Sequence, residues 1–403
     1  MRNPLNLSRC FMLLLSAVAG AAHAEIEASL DLRLVDSDGR KSFVDGGWGK
    51  LRYPANDDGL NLGRARFAWR GSPGGDWHAN VDLSAWSLDE HNALGVTEAW
   101  MEWRPVPQSA WRSNLKIGAF YAPISLENRA PGWTNPYTIS NSALNTWVGE
   151  ELRTIGVGYS LEHLGEGSGS AFDFGVNVAV FGWNDPAGVV LALRGFAMHD
   201  RQTSIFGHLG TYAYGGRDQR VEFAEIDHRA GYHVGGYVKH DSGFELSGLH
   251  YDNRADPSVY LESIDDYAWN TRFDTLGVRY DSPRGTTLIA QWMHGGTAAG
   301  PDYANRWKFD TEFVLLSQAV GKHRFAVRYD DFSTYQLASA FPGALSVDEG
   351  HALTANWTWQ VRNHVEIAVE WLDIHSDYSA RVALGELPRA DEHLLQMALR
   401  FYL

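Results

Sequence analysis

The chain predicts an all-β protein, a transmembrane antiparallel up-and-down β-barrel of 16 to 18 strands, with eighteen as the best count. Three observations carry this. Segments of about 9 to 13 residues recur with strict period-two alternation, the length a tilted strand needs to cross a bilayer. The connections between them alternate between short and long. After the N-terminal segment no run of about 18 apolar residues occurs, so helical spans are excluded.

The chain opens with "MRNPLNLSRCFMLLLSAVAGAAHA". Arg2 and Arg9 precede an apolar core from Phe11 to Gly20, and Ala22-His23-Ala24 closes it with small residues. This is the pattern of a cleaved export signal at residues 1–24, leaving residues 25–403 as a single barrel domain. The only cysteine, Cys10, falls inside that segment, so disulfides and thiolate metal sites are excluded from the mature chain. Loss of Arg2 and Arg9 leaves 32 Lys and Arg against 49 Asp and Glu, a formal charge of −17. Such a surface is a poor partner for nucleic acid, whose binding needs Lys and Arg to neutralise phosphates.

The first strand is "EIEASLDLRLV", with Ile26, Ala28, Leu30, Leu32 and Leu34 opposite Glu27, Ser29, Asp31 and Arg33. Each face is pure, as a half-buried strand requires. The same alternation returns in "WHANVDLSAW", "FDFGVNVAVF", "HRFAVRYDDF", "HVEIAVEWLD" and the closing "HLLQMALRFYL". Between strands, "SPGGD", "PVPQSA", "DSG", "SPRG", "VGKH" and "VRNH" read as tight turns. Longer polar stretches lie near residues 36–58, 123–152, 252–269, 295–305, 333–349 and 375–391. Short turns at one end and long loops at the other are the plan of a bacterial outer-membrane barrel. The count is least settled over residues 190–228, where loss of one hairpin would give sixteen. An even count puts both termini on the short-turn side, and either number leaves a water-filled lumen.

In such a channel the function rests on the polar groups that face the lumen. In "GRARFAWRG", Ala65, Phe67 and Trp69 take the lipid side, which turns Arg64, Arg66 and Arg70 inward as a basic ladder. Leu60 and Leu62 have the opposite parity from Phe67, so a bulge near Gly63 is expected. The same logic turns Asp82, Glu98, Glu102, Arg104 and Lys116 inward. These charges either set a transverse field across a selective filter or neutralise one another along the wall.

Residues 123–152 break the alternation for about thirty residues, a length that in a compact domain signals function or disorder. Trp133, Tyr137, Ile139, Leu144, Trp147 and Val148 need a surface to pack on, and the lumen is the one available. The segment is therefore expected to fold inward as a constriction, with Glu127, Asn128 and Arg129 near its narrowest point.

Several stretches together resemble the phosphate-selective porin O/P family of outer-membrane channels. They are "GLNLGRARFAWRG" (59–71), "VTEAWMEWRP" (96–105), "LKIGAFYAPISLEN" (115–128) followed by "ELRTIGVGY" (151–159), and the closing "LLQMALRFYL". The family is characterised by an arginine-rich second strand and a Gly-x-Phe-x-x-Pro-hydrophobic-Ser-Leu-Glu segment, matched here from Gly118 to Glu127. The resemblance implies a homotrimeric, general or anion-preferring porin whose third extracellular loop enters the barrel. Two departures stand out. The loop carries Arg129 alone against Glu127, Glu150 and Glu151, which argues against strong phosphate specificity, and the chain ends in Leu403 rather than an aromatic residue.

Sixteen histidines raise a metal or catalytic reading. His78, His208 and His250 stand at unrelated spacings without an HExxH or His-x-His motif, so neither metal nor cofactor is expected. Trp69, Trp77, Trp103, Trp111, Trp357, Trp359, Trp371 and Tyr402 lie near segment ends, where aromatic girdles meet the membrane interfaces. A sugar-stacking slide, and so a carbohydrate-specific channel, is the competing reading of the same residues. "NWT" at 356–358 lies inside a strand, so its match to a glycosylation acceptor is a chance one. His199-Asp200 and His240-Asp241 are the only support for a barrel hydrolase, and no nucleophile motif accompanies them. The sequence thus favours a non-enzymatic porin passing small hydrophilic solutes or ions, with phosphate-like anion preference as one form. Its surroundings would be outer-membrane lipid and lipopolysaccharide.

Overall fold

The computed structural model describes residues 23–42, 47–86, 94–209, 220–340, 343 and 345–403. The expected signal segment lies outside these apart from His23 and Ala24, which begin the first strand.

Sixteen strands close into one barrel. They are β1 (His23–Ser37), β2 (Gly59–Gly74), β3 (Trp77–Ala85), β4 (Leu94–Trp103), β5 (Trp111–Phe120), β6 (Thr154–His163), β7 (Phe172–Gly182) and β8 (Gly231–His240). There follow β9 (Phe244–Asp252), β10 (Asn270–Asp281), β11 (Thr286–Ala299), β12 (Asn305–Val320), β13 (His323–Ala338), β14 (Val347–Arg362), β15 (Val365–Tyr378) and β16 (Arg389–Tyr402). Each is antiparallel to the next, and β16 returns to pair with β1 from Ser29↔Tyr402 to Ser37↔Leu394.

Sixteen is the lower of the two counts the sequence allowed, and eighteen is corrected by the region 190–228. Among the described residues two short α-helices form in the inserts, α1 (Ala143–Glu151) and α2 (Val189–Arg194). Around α2, Val189, Val190, Leu191, Ala192, Phe196, Ala197 and Met198 are buried on every side. A wall strand must turn one face to lipid, and this segment has no such face. Among the described residues, two-residue ribbons pair His208–Leu209 with Arg220–Val221 and Tyr260–Leu261 with Asp266–Tyr267, and isolated bridges join Ser42 to Gly49 and Ala130 to Thr134.

The outward faces are apolar across the membrane-spanning zone. On β7, Phe172, Phe174, Val176, Val178 and Val180 are exposed, while Gly175 and Ala179 between them are covered. Leu395, Met397 and Phe401 do the same on β16. The bulge expected near Gly63 is present: Asp31 pairs with Arg64 but Leu32 pairs with Leu62, leaving Gly63 without a partner. A side chain at Gly63 would stand 2.3 Å from Arg33 Nε, so only glycine fits beneath that guanidinium.

The inner face departs from a water-filled pipe. Phe273 of β10, Ile289 and Met293 of β11, and Phe309, Phe313 and Leu315 of β12 point inward and are fully covered. These strands are apolar on both faces because the inner face has something to pack against, namely Ile124, Leu126, Leu144 and Trp147 of the β5–β6 insert. Trp147 meets Phe273 and Phe309 edge-on at ring distances of 5.4 and 5.0 Å.

Candidate channel interior

The β5–β6 insert is held inside the barrel by a row of inward side chains from the opposite wall. Gln291 of β11 donates to Ile124 O at 2.6 Å and accepts from Leu126 N at 3.1 Å. Arg279 of β10 reaches Leu126 O at 3.0 Å and the Tyr137 hydroxyl at 2.8 Å. Glu370 of β15 accepts from Ile139 N, Ser140 N and Ser140 Oγ. Arg328 of β13 donates to Thr138 Oγ1, Ser140 O and Asn141 O, each at 2.8 Å. Irregular backbone buried at membrane depth needs partners for its polar groups, and these four side chains supply them.

Within the insert, Glu127 has no exposed surface. Its carboxylate accepts from Ser142 N, Asn145 Nδ2 and Asn135 Nδ2 at 2.8 to 3.0 Å. Asn128 is likewise buried, donating to Trp133 O and Asn141 Oδ1. Both lie inside the loop rather than on a passage, because a chain folded back on itself needs internal acceptors and donors for its own backbone. Arg129 alone of the three emerges, with its side chain 41% exposed and bonded to both carboxylate oxygens of Glu245 on β9. Tyr121 has lipid-side parity in sequence, yet it stacks on Trp133 at 4.2 Å inside, since β5 ends at Phe120 and the chain turns in.

A second insert, which sequence reasoning left partly as wall, folds in beside the first. Arg194 and Glu150 form a two-pronged pair at 2.8 and 2.7 Å with no exposure on either side, and His199 Nε2 adds a contact at 3.0 Å. Burial alone would raise the Glu150 carboxyl; Arg194 and His199 outweigh it and hold it well below the usual carboxylate range. Asp200 is treated in the same way, against its own burial, by Arg33 and Arg52. Arg153 Nη2 donates to Thr203 O, and Ile205 N to Val96 O, which pins the insert to both neighbours. The first long connection also turns in. Lys50 meets Asp348 of β14 at 2.6 Å with neither side chain exposed, and burial draws the lysine down to about 8 against the pull of Asp348.

The basic ladder lies where strand parity puts it. Arg66 bonds Asp82 at 2.8 Å and Glu27 at 3.0 Å; Arg70 bonds Glu27 at 2.5 Å; Arg64 donates to Ser84 Oγ at 2.8 Å. Arg64 also donates to Gly132 O at 3.1 Å. Gly132 itself has φ +68 and leaves only 2.3 Å between a would-be Cβ and Arg66 Nε, so the insert's tip rests on the ladder. On the next strands, Lys116 lies 3.5 Å from Glu102, and Glu98 accepts from Tyr121 N at 3.2 Å. Arg104 stands just past the end of β4 at the short-turn rim, 3.9 Å from Glu102 and half exposed. Acid and base thus pair along one wall instead of facing each other across a gap.

Two cavities flank the tip of the insert and share Ala130, Pro131 and Trp133 as lining. One, of about 410 Å³, is bounded by Glu27, Asp31, Arg64, Arg66, Asp200 and Arg400. The other, of about 730 Å³, is bounded by Arg70, Glu98, Arg112, Arg129, Lys239 and Glu245. Lys239 and Glu245 were missed from sequence, although they pair directly across the "DSG" turn and lumen parity would have found both.

The two His-Asp pairs do not build a hydrolase. His199 and Asp200 are engaged separately by Glu150 and Arg33. His240 Nδ1 meets Ser242 Oγ at 2.8 Å on an exposed three-residue turn. In the β7–β8 insert, Asp185, Glu225 and Asp227 bring three oxygens within 4.8 Å of one another. Asp185 already accepts from the backbone N–H of Ile226 and Asp227, which makes it an anchor for that stretch.

No protein-family model matches the chain, and no curated protein matches it by sequence. Solved structures match it over almost its whole length. OmpF of Salmonella typhi, in complex with daunomycin, aligns with a TM-score of 0.53 at 11% identity, covering 95% of this chain and 98% of that one. An anion-selective porin from Comamonas acidovorans aligns at 0.50 and 11% identity, over 94% and 99% of the two chains. The outer membrane channel DcaP of Acinetobacter baumannii aligns at 0.50 and 10%, over 96% and 98%. At such identities the likeness is one of fold, that of the closed porin-type barrel.

Proposed function

We propose that the chain is an outer-membrane porin, a passive channel for small hydrophilic solutes or ions, exported with loss of residues 1–24 and assembled as a homotrimer. The observation that carries this reading is the pair of charge-lined cavities around residues 130–133 inside a closed barrel whose outside is apolar. The β5–β6 insert is the constriction, and Arg129 is its exposed charge. Both cavities mix acids with bases, so a mixed or weakly anion-preferring pore fits better than strong phosphate selection, and membership of the phosphate-selective O/P family is proposed only to that extent. Purified protein in a planar bilayer should give discrete open-channel steps with little voltage dependence. A barrel that never conducts would sink the porin reading.

A further inference from the structure

On the inner faces of β6 and β7 the side chains shrink. β6 turns Gly156, Gly158 and Ser160 inward, and β7 turns Gly175, Asn177 and Ala179. The hollow this leaves is bounded by rings from the flanking strands. Phe120 of β5 lies over Gly158, where a Cβ would come within 3.0 Å of its ring, and Tyr237 of β8 lies over Gly175, where one would come within 2.7 Å. Only glycine lets both rings lie that close to the wall. The result is a side recess of about 230 Å³ that adjoins the larger of the two cavities and shares Tyr121, Pro123 and Tyr237 with it as lining.

The charges of the recess are already committed. Lys116 stands 3.5 Å from Glu102, and Glu162 pairs with Arg112 and accepts from the Tyr237 hydroxyl at 3.1 Å. The groups left over carry no fixed charge. Asn177 Oδ1, His233 Nδ1 and the Tyr121 hydroxyl are buried, line the recess through their residues, and have no hydrogen-bond partner among the described residues. Ser160 is the direct register neighbour of Asn177 on one side and of Asn114 on the other, so short polar side chains run in a row across three strands. Unpaired buried polar atoms are rare in a folded chain, and several around one recess point to an occupant that completes them.

We propose that this recess is a subsite for a neutral polyhydroxylated solute, a sugar ring, reached from the larger cavity. The proposal rests on the channel reading of the lumen and names one class of solute for it. A sugar hydroxyl both donates and accepts, which suits a set made of an amide, an imidazole nitrogen and hydroxyls, whereas a simple anion only accepts. The C–H groups on the face of a pyranose carry the positive edge that the negative faces of Phe120 and Tyr237 attract. None of the girdle residues named from sequence takes part; the rings here come from the inner wall.

The test uses D-glucose with the intact purified barrel, in a detergent without a sugar headgroup, followed by saturation-transfer NMR, which reads binding whether or not the barrel conducts. Asn177→Leu and Phe120→Ala should each weaken glucose binding about 10-fold and the double variant about 100-fold, while Ser160→Ala should cost about 3-fold. Thr286→Val, on β11 outside the recess, should change nothing. Heat-modifiable gel migration shows that each variant still forms the barrel. In planar bilayers, maltotriose should lower the ion current of the parent in a saturable way, and the same variants should lift that block. A barrel that binds glucose without conducting supports the subsite and sinks the porin reading. A barrel that conducts, with glucose binding unchanged in the double variant or with equal transfer to a polyethylene glycol of similar mass, overturns the subsite and leaves the porin reading standing.

Discussion

Two sectors of the inner wall do different work. On β13 to β15, Arg328, Asp330, Asp348 and Glu370 have no exposed surface, and each bonds chain from an insert. On the opposite side, Arg70 and Arg112 keep 38% of their side-chain surface exposed and line the larger cavity. The first sector is a dry clamp and the second a wet wall, so solutes would pass eccentrically, along the wet wall. The lesson is that inward parity alone does not make a residue pore-lining: the same strand position reads as filter or as fastener depending on what the extracellular inserts cover.

The largest effect is expected from breaking the clamp. Removing one partner of a buried ion pair leaves an uncompensated charge, at a cost of about 3 to 5 kcal/mol. Arg328→Ala removes the donor for Thr138, Ser140 and Asn141 and unpairs Asp330. Glu370→Ala orphans the amides of Ile139 and Ser140. Either change should release the insert, raising single-channel conductance several-fold with noisy, uneven steps. Conductance unchanged in both would mean that this sector does not hold the constriction.

On the wet wall, charge changes should alter selectivity while leaving conductance within about two-fold. Arg129→Glu places a fourth acid beside Glu98, Asp173 and Glu245, which share its cavity. The reversal potential across a salt gradient should shift toward cations, and Glu245→Gln, which frees Arg129, should shift it toward anions. Arg104→Glu, at the rim, should do less than either. A shift from Arg104 as large as that from Arg129 would place the narrow point at the short-turn end.

The barrel was legible because strand parity is a local property: a face is apolar or polar over ten residues whatever surrounds it. The bulge at Gly63 and the inward Arg64, Arg66 and Arg70 followed from that parity alone. Parity of polarity fails where a strand is apolar on both faces, as at Phe273, Phe309 and Phe313, and where a segment is covered all round, as in α2. There, apolar residues report only burial and carry no period to distinguish wall from plug. Glu127 illustrates the same limit within the candidate site. Its position beside Arg129 in sequence suggests a shared environment, yet the chain reverses between them, so that one is fully enclosed and the other open to the cavity.

The smallest expected effect concerns how the β7–β8 insert is tied down outside the clamp. Burial raises the Asp185 carboxyl from an ordinary value near 3.8 to about 7, with Glu225 and Asp227 adding to the shift and the amides of Ile226 and Asp227 opposing it. The docked insert then holds a proton that the undocked one has released between about pH 4 and 7. Docking therefore weakens as pH rises through that window and is level above it. Hydrogen exchange at the Ile226 and Asp227 amides, corrected for the intrinsic pH dependence of exchange, should be several-fold less protected at pH 8 than at pH 5. Asp185→Asn keeps a neutral acceptor at both values and should remove the difference, while channel conductance stays as in the parent. Equal protection at the two pH values in the unmodified protein would show that Asp185 is already ionised when docked, and that the two amides outweigh its burial.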